Sequence, residues 1–400
     1  MKTKLFTLLL AIAAGIGSMF ASEIQVDGIW YEFNSYFKTA TVTYDYGSSF
    51  HSYKYSGNVV IPESVTYNGI TYSVTCIGNL AFYECSGLTS VTIPNSVISI
   101  GYDAFSACSG LTSVTIPNSV AFISAGAFGS CSGLTSVTIG NSVTSIEDYA
   151  FAHCSGLTSV TIGNSVTSIG KRAFFGCSGL TSVTIPNSVK SIGERVFTNC
   201  TGLTYVTIGT SVTSIGRCAF YGCTDLISVT IPNNVTSIGD SVFYECSSMT
   251  SATIGNSVTN IGEYAFYNCT GLRYVTIGNS VSKIGGDAFT NCSRLTSVTI
   301  NSPDIVGKTY TISANIKNIF GSQVKAYIIG DDVKSIGDYA FKDCSSLTSV
   351  TIGDSVTSIG KSAFYDCRGL TSVTIPNSVT SIGDRAFWGV QRFDLCDDPQ

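Results

Sequence analysis

Apolar side chains in this sequence recur in a fixed cycle. Counting from Cys85, they stand at Leu88, Val91, Ile93, Val97, Ile100, Ala104 and Phe105, and the cycle restarts at Cys108. Val91 and Ile93 alternate with Ser90 and Thr92, the period-2 signature of a strand with one buried face. β-branched residues dominate that stretch, as pleated surfaces favour. Pro94-Asn95-Ser96 then turns the chain, and other cycles hold Gly140, Gly163 or Gly209 in the proline slot. A slot shared by Pro and Gly must accept φ near −65° and cannot require a ladder N–H. Val97 and Ile100 point inward across a short extended segment closed by Gly101. Ala104-Phe105 returns the chain in a single helical turn.

Ten cysteines, from Cys85 to Cys292, mark this cycle every 23 residues, and it resumes at Cys344 and Cys367. A fixed period of this length predicts a solenoid, in which each coil covers the apolar flank of its neighbour. The inward column is Cys, Leu, Val, Ile, Val, Ile, Ala and Phe. Fourteen strand-bearing coils are expected, from Val59-Val60-Ile61 to Val373-Thr374-Ile375, stacked over roughly 65 Å at about 4.8 Å per rung.

The rest of the chain divides around the repeat. Residues 1–22 read as a signal peptide: Met1-Lys2-Thr3-Lys4 is positive, Leu5 to Phe20 is apolar, and cleavage near Ala21 or Ser22 fits the small-residue requirement. Residues 23–57 alternate aromatic and polar positions, as in Ile29-Trp30-Tyr31-Glu32-Phe33, and predict a β-hairpin cap. The solenoid spans 58–390, its first unit lengthened by Tyr67-Asn68-Gly69-Ile70. Cys292 and Cys344 lie 52 positions apart where two cycles span 46. The excess falls in an irregular repeat, 301–326, expected as a loop at one edge, while Ile316, Ile319 and Phe320 keep part of the inward column. Residues 391–400 form a short polar tail.

The phrase C-x-x-L-x-x-V-x-I-P…I-G-x-x-A-F-x-x-C, repeated over about residues 55–390, resembles the BspA-like leucine-rich repeat proteins. That resemblance implies a right-handed solenoid with a parallel sheet on one face and short turns or single helical turns on the other. It also implies a surface or secreted location and adhesion to host proteins or other cells. No catalytic residues come with the family.

Charge narrows the partners. Charged residues are 12% of the chain, against roughly 25% in a typical globular protein. Net charge is −5 and Lys and Arg are scattered, so the basic stripe that nucleic-acid binding needs is missing. Binding only weakly dependent on salt is expected. Fifteen cysteines in an exported chain would suggest disulfides, but twelve share one slot and stack about 4.8 Å apart, pointing the same way. A disulfide wants converging Cβ atoms about 3.8 Å apart. The column reads as small buried apolar side chains. Cys76, Cys218 and Cys396 stand outside it without metal-ligand spacing.

Catalytic and metal-binding arrangements are absent from the pattern. His51 and His153 have no Cys, Asp or Glu at ligand spacing, and no G-x-S-x-G or phosphate-cradling loop occurs. Asp331-Asp332 reads as a solvated turn. No enzyme activity, cofactor or metal is expected. What remains is the outer surface, where repeats differ. On the strand face the almost uniform Thr and Ser give way to Tyr205, Arg273 and Tyr274, the residue types that anchor contacts. Two residues before each Cys, a second column holds Tyr83, Phe175, Tyr221, Tyr244, Tyr267, Tyr365 and Trp388. Tyr221, Tyr244 and Tyr267 are consecutive rungs whose rings should stack, either as a ligand platform or as a seal over the outer side. The flanking pairs Lys171-Arg172, Glu194-Arg195 and Asp384-Arg385 read as a solvated face.

The expectation is an exported, non-catalytic binding solenoid, secreted or at the outer cell surface, that adheres to a protein or glycoprotein. A spacer without its own ligand, and a carbohydrate-binding partner of a glycan-degradation system, are the alternatives. No transmembrane segment is expected in the mature chain.

Overall fold

A computed structural model describes residues 23–44 and 54–390. The expected signal peptide, His51, Cys396 and the tail 391–400 lie outside the described residues. The described residues begin with three antiparallel strands, β1 (Ile24–Val26), β2 (Ile29–Asn34) and β3 (Thr39–Thr43). Ile29, Tyr31 and Phe33 of β2 are buried, and Trp30, Glu32 and Asn34 are half-exposed, so the alternation fixes which face meets the solenoid. Asp27-Gly28 closes the first hairpin with φ of 50° and 82°. Two positive φ values make a type I′ turn, whose twist matches the strands.

Two more strands carry the cap into the repeat. Strand β4 (Gly57–Val60) is the first rung of the strand face. Asn68-Gly69 joins β5 (Ser64–Tyr67) to β6 (Ile70–Ile77) through the same kind of turn, with φ of 49° and 74°. β6 lies parallel to β3 on one side and to Ser99–Ile100 on the other. Tyr55 locks the junction: its hydroxyl donates to the Thr43 carbonyl at 3.0 Å, and its ring meets Phe82 at 4.6 Å.

From there the coils stack in register at 23-residue offsets, as a solenoid with two parallel ladders. Fourteen long-face strands run from β4 to Ser372–Thr374. Val137 pairs with Val114 before it and Val160 after it. The second ladder is built from two-residue strands such as Ser145–Ile146 and Ser168–Ile169. Of the turn or helical turn expected around Ala-Phe, the structure shows turns. Phe105 donates its N–H to Ala127 at 2.7 Å and Ala107 to Gly129 at 2.7 Å, so each turn is tied to the next coil.

The interior is a set of like-on-like columns. Phe82 to Phe289 stack in ten successive rungs with centroids 4.8 to 5.5 Å apart. Each ring is buried. The fourteen cysteines among the described residues are free thiols. Those of the column do more than fill space: the Cys108 thiol donates to the Phe82 carbonyl at 3.0 Å, and Cys200 to Phe174 at 3.2 Å. The same relation holds one coil back along most of the stack.

The proline slot sits at the end of each long-face strand. Asn301 and Gly330, in that slot, donate to Ile277 and Ile300 at 3.0 Å each. A proline there cannot. The sheet breaks on entry to the coils of Pro117, Pro186 and Pro232, though the coils of Pro94 and Pro376 keep their pairing.

The irregular repeat is folded into the stack. Helix α1 (Pro303–Val306), capped by the Ser302 hydroxyl, takes the place of a short strand, and Gly337 donates to Val306 at 2.9 Å. Helix α2 (Ile316–Phe320) is capped by Asn315 and returns Phe320 to the core. Residues 311–314 between them are exposed.

Candidate interaction surfaces

The outward side of the strand face is set by the repeat itself. Because Val and Ile of each strand point inward, the intervening Ser and Thr point out. One threonine column is already engaged: Thr135 donates to the Thr112 carbonyl at 3.0 Å and Thr204 to Thr181 at 2.8 Å. These hydroxyls seal the sheet edge, which leaves the Ser-x-Thr pairs as the open part of the face.

Tyr205 and Tyr274 stand in the serine column of those pairs. Ser182 is in register with Tyr205, and Ser251 with Tyr274. Both rings are more than half exposed, at 58% and 57%. Neither touches another aromatic ring among the described residues. Three rungs separate them, about 14 Å. The floor between is hydroxyl-bearing, and beside Tyr205 lies an open concavity of about 590 Å³ lined by Thr207, Thr210, Ser228, Thr230 and Asn233. Arg273, also exposed, uses only its backbone in the ladder.

Tyr221, Tyr244 and Tyr267 lie on the turn side instead. The structure does not bring them together with Tyr205, Arg273 and Tyr274. Their rings stack at 4.8 and 4.9 Å with interplanar angles of 7° and 15°, and all three are half-buried. Partial burial, with the Glu245 carboxylate behind it, pushes the phenols of Tyr221 and Tyr244 up. Tyr264 sits edge-on to Tyr267 at 5.7 Å. The ring faces between successive rungs are thus covered by one another.

A further arrangement escaped the sequence pattern. Arg172 lies over the rings of Tyr149 and Phe175, at 5.4 and 5.7 Å, and donates to the Tyr149 hydroxyl. His153 meets the Phe175 edge at 5.1 Å. The 23-residue spacing of Tyr149 and Arg172 was the available signal, since it places them on adjacent rungs. The pairs read as solvated are paired: Lys171 with Glu194 at 3.3 Å and Arg195 with Glu194 at 3.6 Å. Among the described residues no group of three His, Cys, Asp or Glu side chains could hold a metal ion. No helix among them is long and apolar enough to cross a membrane.

Compared with known families, the chain matches the BspA type leucine rich repeat region (6 copies) over residues 75–204, 190–317 and 316–395. The chain belongs to this family. Among solved structures, a leucine-rich repeat protein from Bacteroides ovatus is 31% identical, with a TM-score of 0.64 over 92% of each chain. A leucine rich cell surface protein from Faecalibacterium prausnitzii is 28% identical, covering 91% of this chain and 95% of that one, with a TM-score of 0.47. No curated protein sequence matches. Membership in the BspA-type family makes the chain a repeat scaffold of a kind that generally binds other proteins and typically carries no catalytic residues.

Proposed function

We propose that this BspA-type chain is an exported adhesive solenoid, secreted or held at the outer cell surface, that grips a protein or glycoprotein with its strand face. The supporting observation is the placement of Tyr205, Arg273 and Tyr274. They depart from a largely Ser and Thr surface, as do Lys325 and Ile328 further along, and all three are exposed. Exposed Tyr and Arg supply large contact area and planar hydrogen bonding at small ordering cost. Residues 1–22 would direct export, 23–57 would cap the stack, and 58–390 would present the face. Tyr221, Tyr244 and Tyr267 would then seal the turn side. Their mutual coverage weighs against the sugar-platform reading, which needs an open ring face.

The test is a triple change, Tyr205→Ala, Arg273→Ala and Tyr274→Ala, in the mature chain. Binding would be read against a panel of extracellular matrix glycoproteins and a glycan array, with thermal unfolding as control. The expected result is loss of roughly tenfold or more in protein affinity with unchanged unfolding, since hot-spot truncations cost about 2 kcal/mol or more. Undiminished protein binding would overturn the assignment of this face. Absence of any ligand in either panel would favour the spacer reading, which the uniform face from Thr89 to Thr184 supports.

A further inference from the structure

Charge is spread unevenly along the strand face. In the six coils that begin at Cys85 to Cys200, the strand positions and their flanking turns hold no charged residue. Later coils differ. Arg273, Arg294, Lys325 and Arg368 stand exposed along the edge where the strands begin, with Asp225 exposed beside them and Asp366 paired to Arg368. Asp331, Asp332 and Asp354 stand exposed along the edge where the strands end, with Lys334 exposed just past the turn. Tyr274 and Ile328, 57% and 41% exposed, lie between.

These charges are not neutralised within the molecule. Arg273, Arg294 and Lys325 have no carboxylate within ion-pair reach among the described residues; Arg368 has Asp366 at 3.5 Å. Asp331 accepts the Asp354 N–H at 3.0 Å and Asp332 accepts from the Asn279 amide at 3.2 Å, both neutral donors. About six residues of strand separate the edges, roughly 20 Å, well beyond the screening length of about 8 Å in physiological salt. A surface tuned for solubility alone would intersperse the signs, as the turn side does with Lys171, Glu194 and Arg195.

We propose that this part of the strand face docks an extended segment of another protein, acidic toward one end, apolar in its centre and basic toward the other. The segment lies along the strand direction. Its acidic end meets Arg273, Arg294 and Lys325, its centre meets Tyr274 and Ile328, and its basic end meets Asp331, Asp332 and Asp354. A segment of one sign would gain at one edge and be repelled at the other, so segregated charge sets the choice of partner. The proposal rests on the reading of the strand face as the contact surface.

A displayed library of random peptides of about 12 residues, long enough to cross both edges, tests this on the full chain. It is panned on the native sequence and on an Arg273→Glu, Lys325→Glu variant, both checked for unchanged thermal unfolding. Enriched peptides should carry Asp or Glu in one half, Lys or Arg in the other and apolar residues between. The variant should instead enrich peptides basic at both ends, and a native consensus peptide should bind it roughly tenfold more weakly, with the loss shrinking at high salt. Enrichment without charge segregation, or selection that ignores the variant, would overturn the proposal. If such peptides still needed Tyr205 and Tyr274, the contact-surface reading would stand while this one fell. Self-association of the native chain, abolished in the variant, would give the face to a second copy instead.

Discussion

Cysteine suits its slot through both size and donor capacity. The Phe174 carbonyl already accepts the Cys177 N–H within its own coil, and the Cys200 thiol from the next coil takes its second lone pair. A thiol can do this at little desolvation cost, which a hydroxyl could not. The sequence placed these side chains in the interior but did not disclose the bond, because composition carries no sign of which carbonyl lies opposite. Burial pushes up the thiols of Cys108, Cys154, Cys177, Cys200 and Cys223, and that of Cys292 to about 12. In the unfolded chain each would titrate near the ordinary value of 9.0. The folded state then holds more protons above pH 9, so this contribution is whole below 9 and is lost as pH rises toward 12. Each such thiol removes about 1.4 kcal/mol per pH unit beyond its unfolded value. Urea midpoints should therefore be flat from neutrality to about pH 8 and fall steeply above 9. Cys200→Ala should therefore leave the ultraviolet thiolate absorbance of the folded chain near pH 9 unchanged; a loss of absorbance there would contradict the picture.

Among the elements, the long-face strands were legible, and the backbone conformation of the returning turns was not. Leu88, Val91 and Ile93 announce a half-buried strand through alternation, but a two-residue strand such as Ser145–Ile146 is too short to show a period. The returning turn was hidden for another reason. It uses left-handed residues that are not glycine, among them Ala107, His153 and Arg172 at φ of 60°, 61° and 55°. Local chemistry argues against that conformation by roughly 1–2 kcal/mol each. Coil-to-coil bonds impose it: His153 donates to Phe175 at 2.6 Å and Arg172 to Glu194 at 2.9 Å. Nonlocal pairing overrides propensity, so no single repeat could reveal it. Ala107→Gly relieves the strain and should raise stability by up to about 1 kcal/mol, after glycine's own entropy cost. Ala104→Gly, at a buried site without positive φ, should lower it. Urea unfolding of the two variants checks the contrast, and equal effects would mean the turn is not strained. The strand-face site was legible as a break in the Ser and Thr run. The covered ring faces of Tyr221 to Tyr267 were not, because spacing gives adjacency and not orientation.

For the whole molecule, the interruptions are staggered. The long-face sheet breaks near Pro117, Pro186 and Pro232, where the short-strand ladder runs on without a gap. That ladder stops at Ile284 and resumes at Ser335, across α1. There the long-face sheet is continuous, with Ser297 in register with Ala326. The phenylalanine stack also tilts at this point, Phe289 meeting Phe320 at 43°. No coil boundary loses both ladders at once, so coupling between neighbours persists along the described residues. In a stack governed by nearest-neighbour terms, one weakened interface should separate what lies on either side. Phe197 is buried between Phe174 and Phe220, and Phe197→Ala should cost about 3–5 kcal/mol locally. Two tryptophans sit at opposite ends, Trp30 in the cap and Trp388 in the last coil, so variants keeping one at a time report each end. With Phe197 in place, the two fluorescence transitions in urea should coincide. With Phe197→Ala they should part, and coincidence in that variant would show that stacking is not governed by neighbours alone.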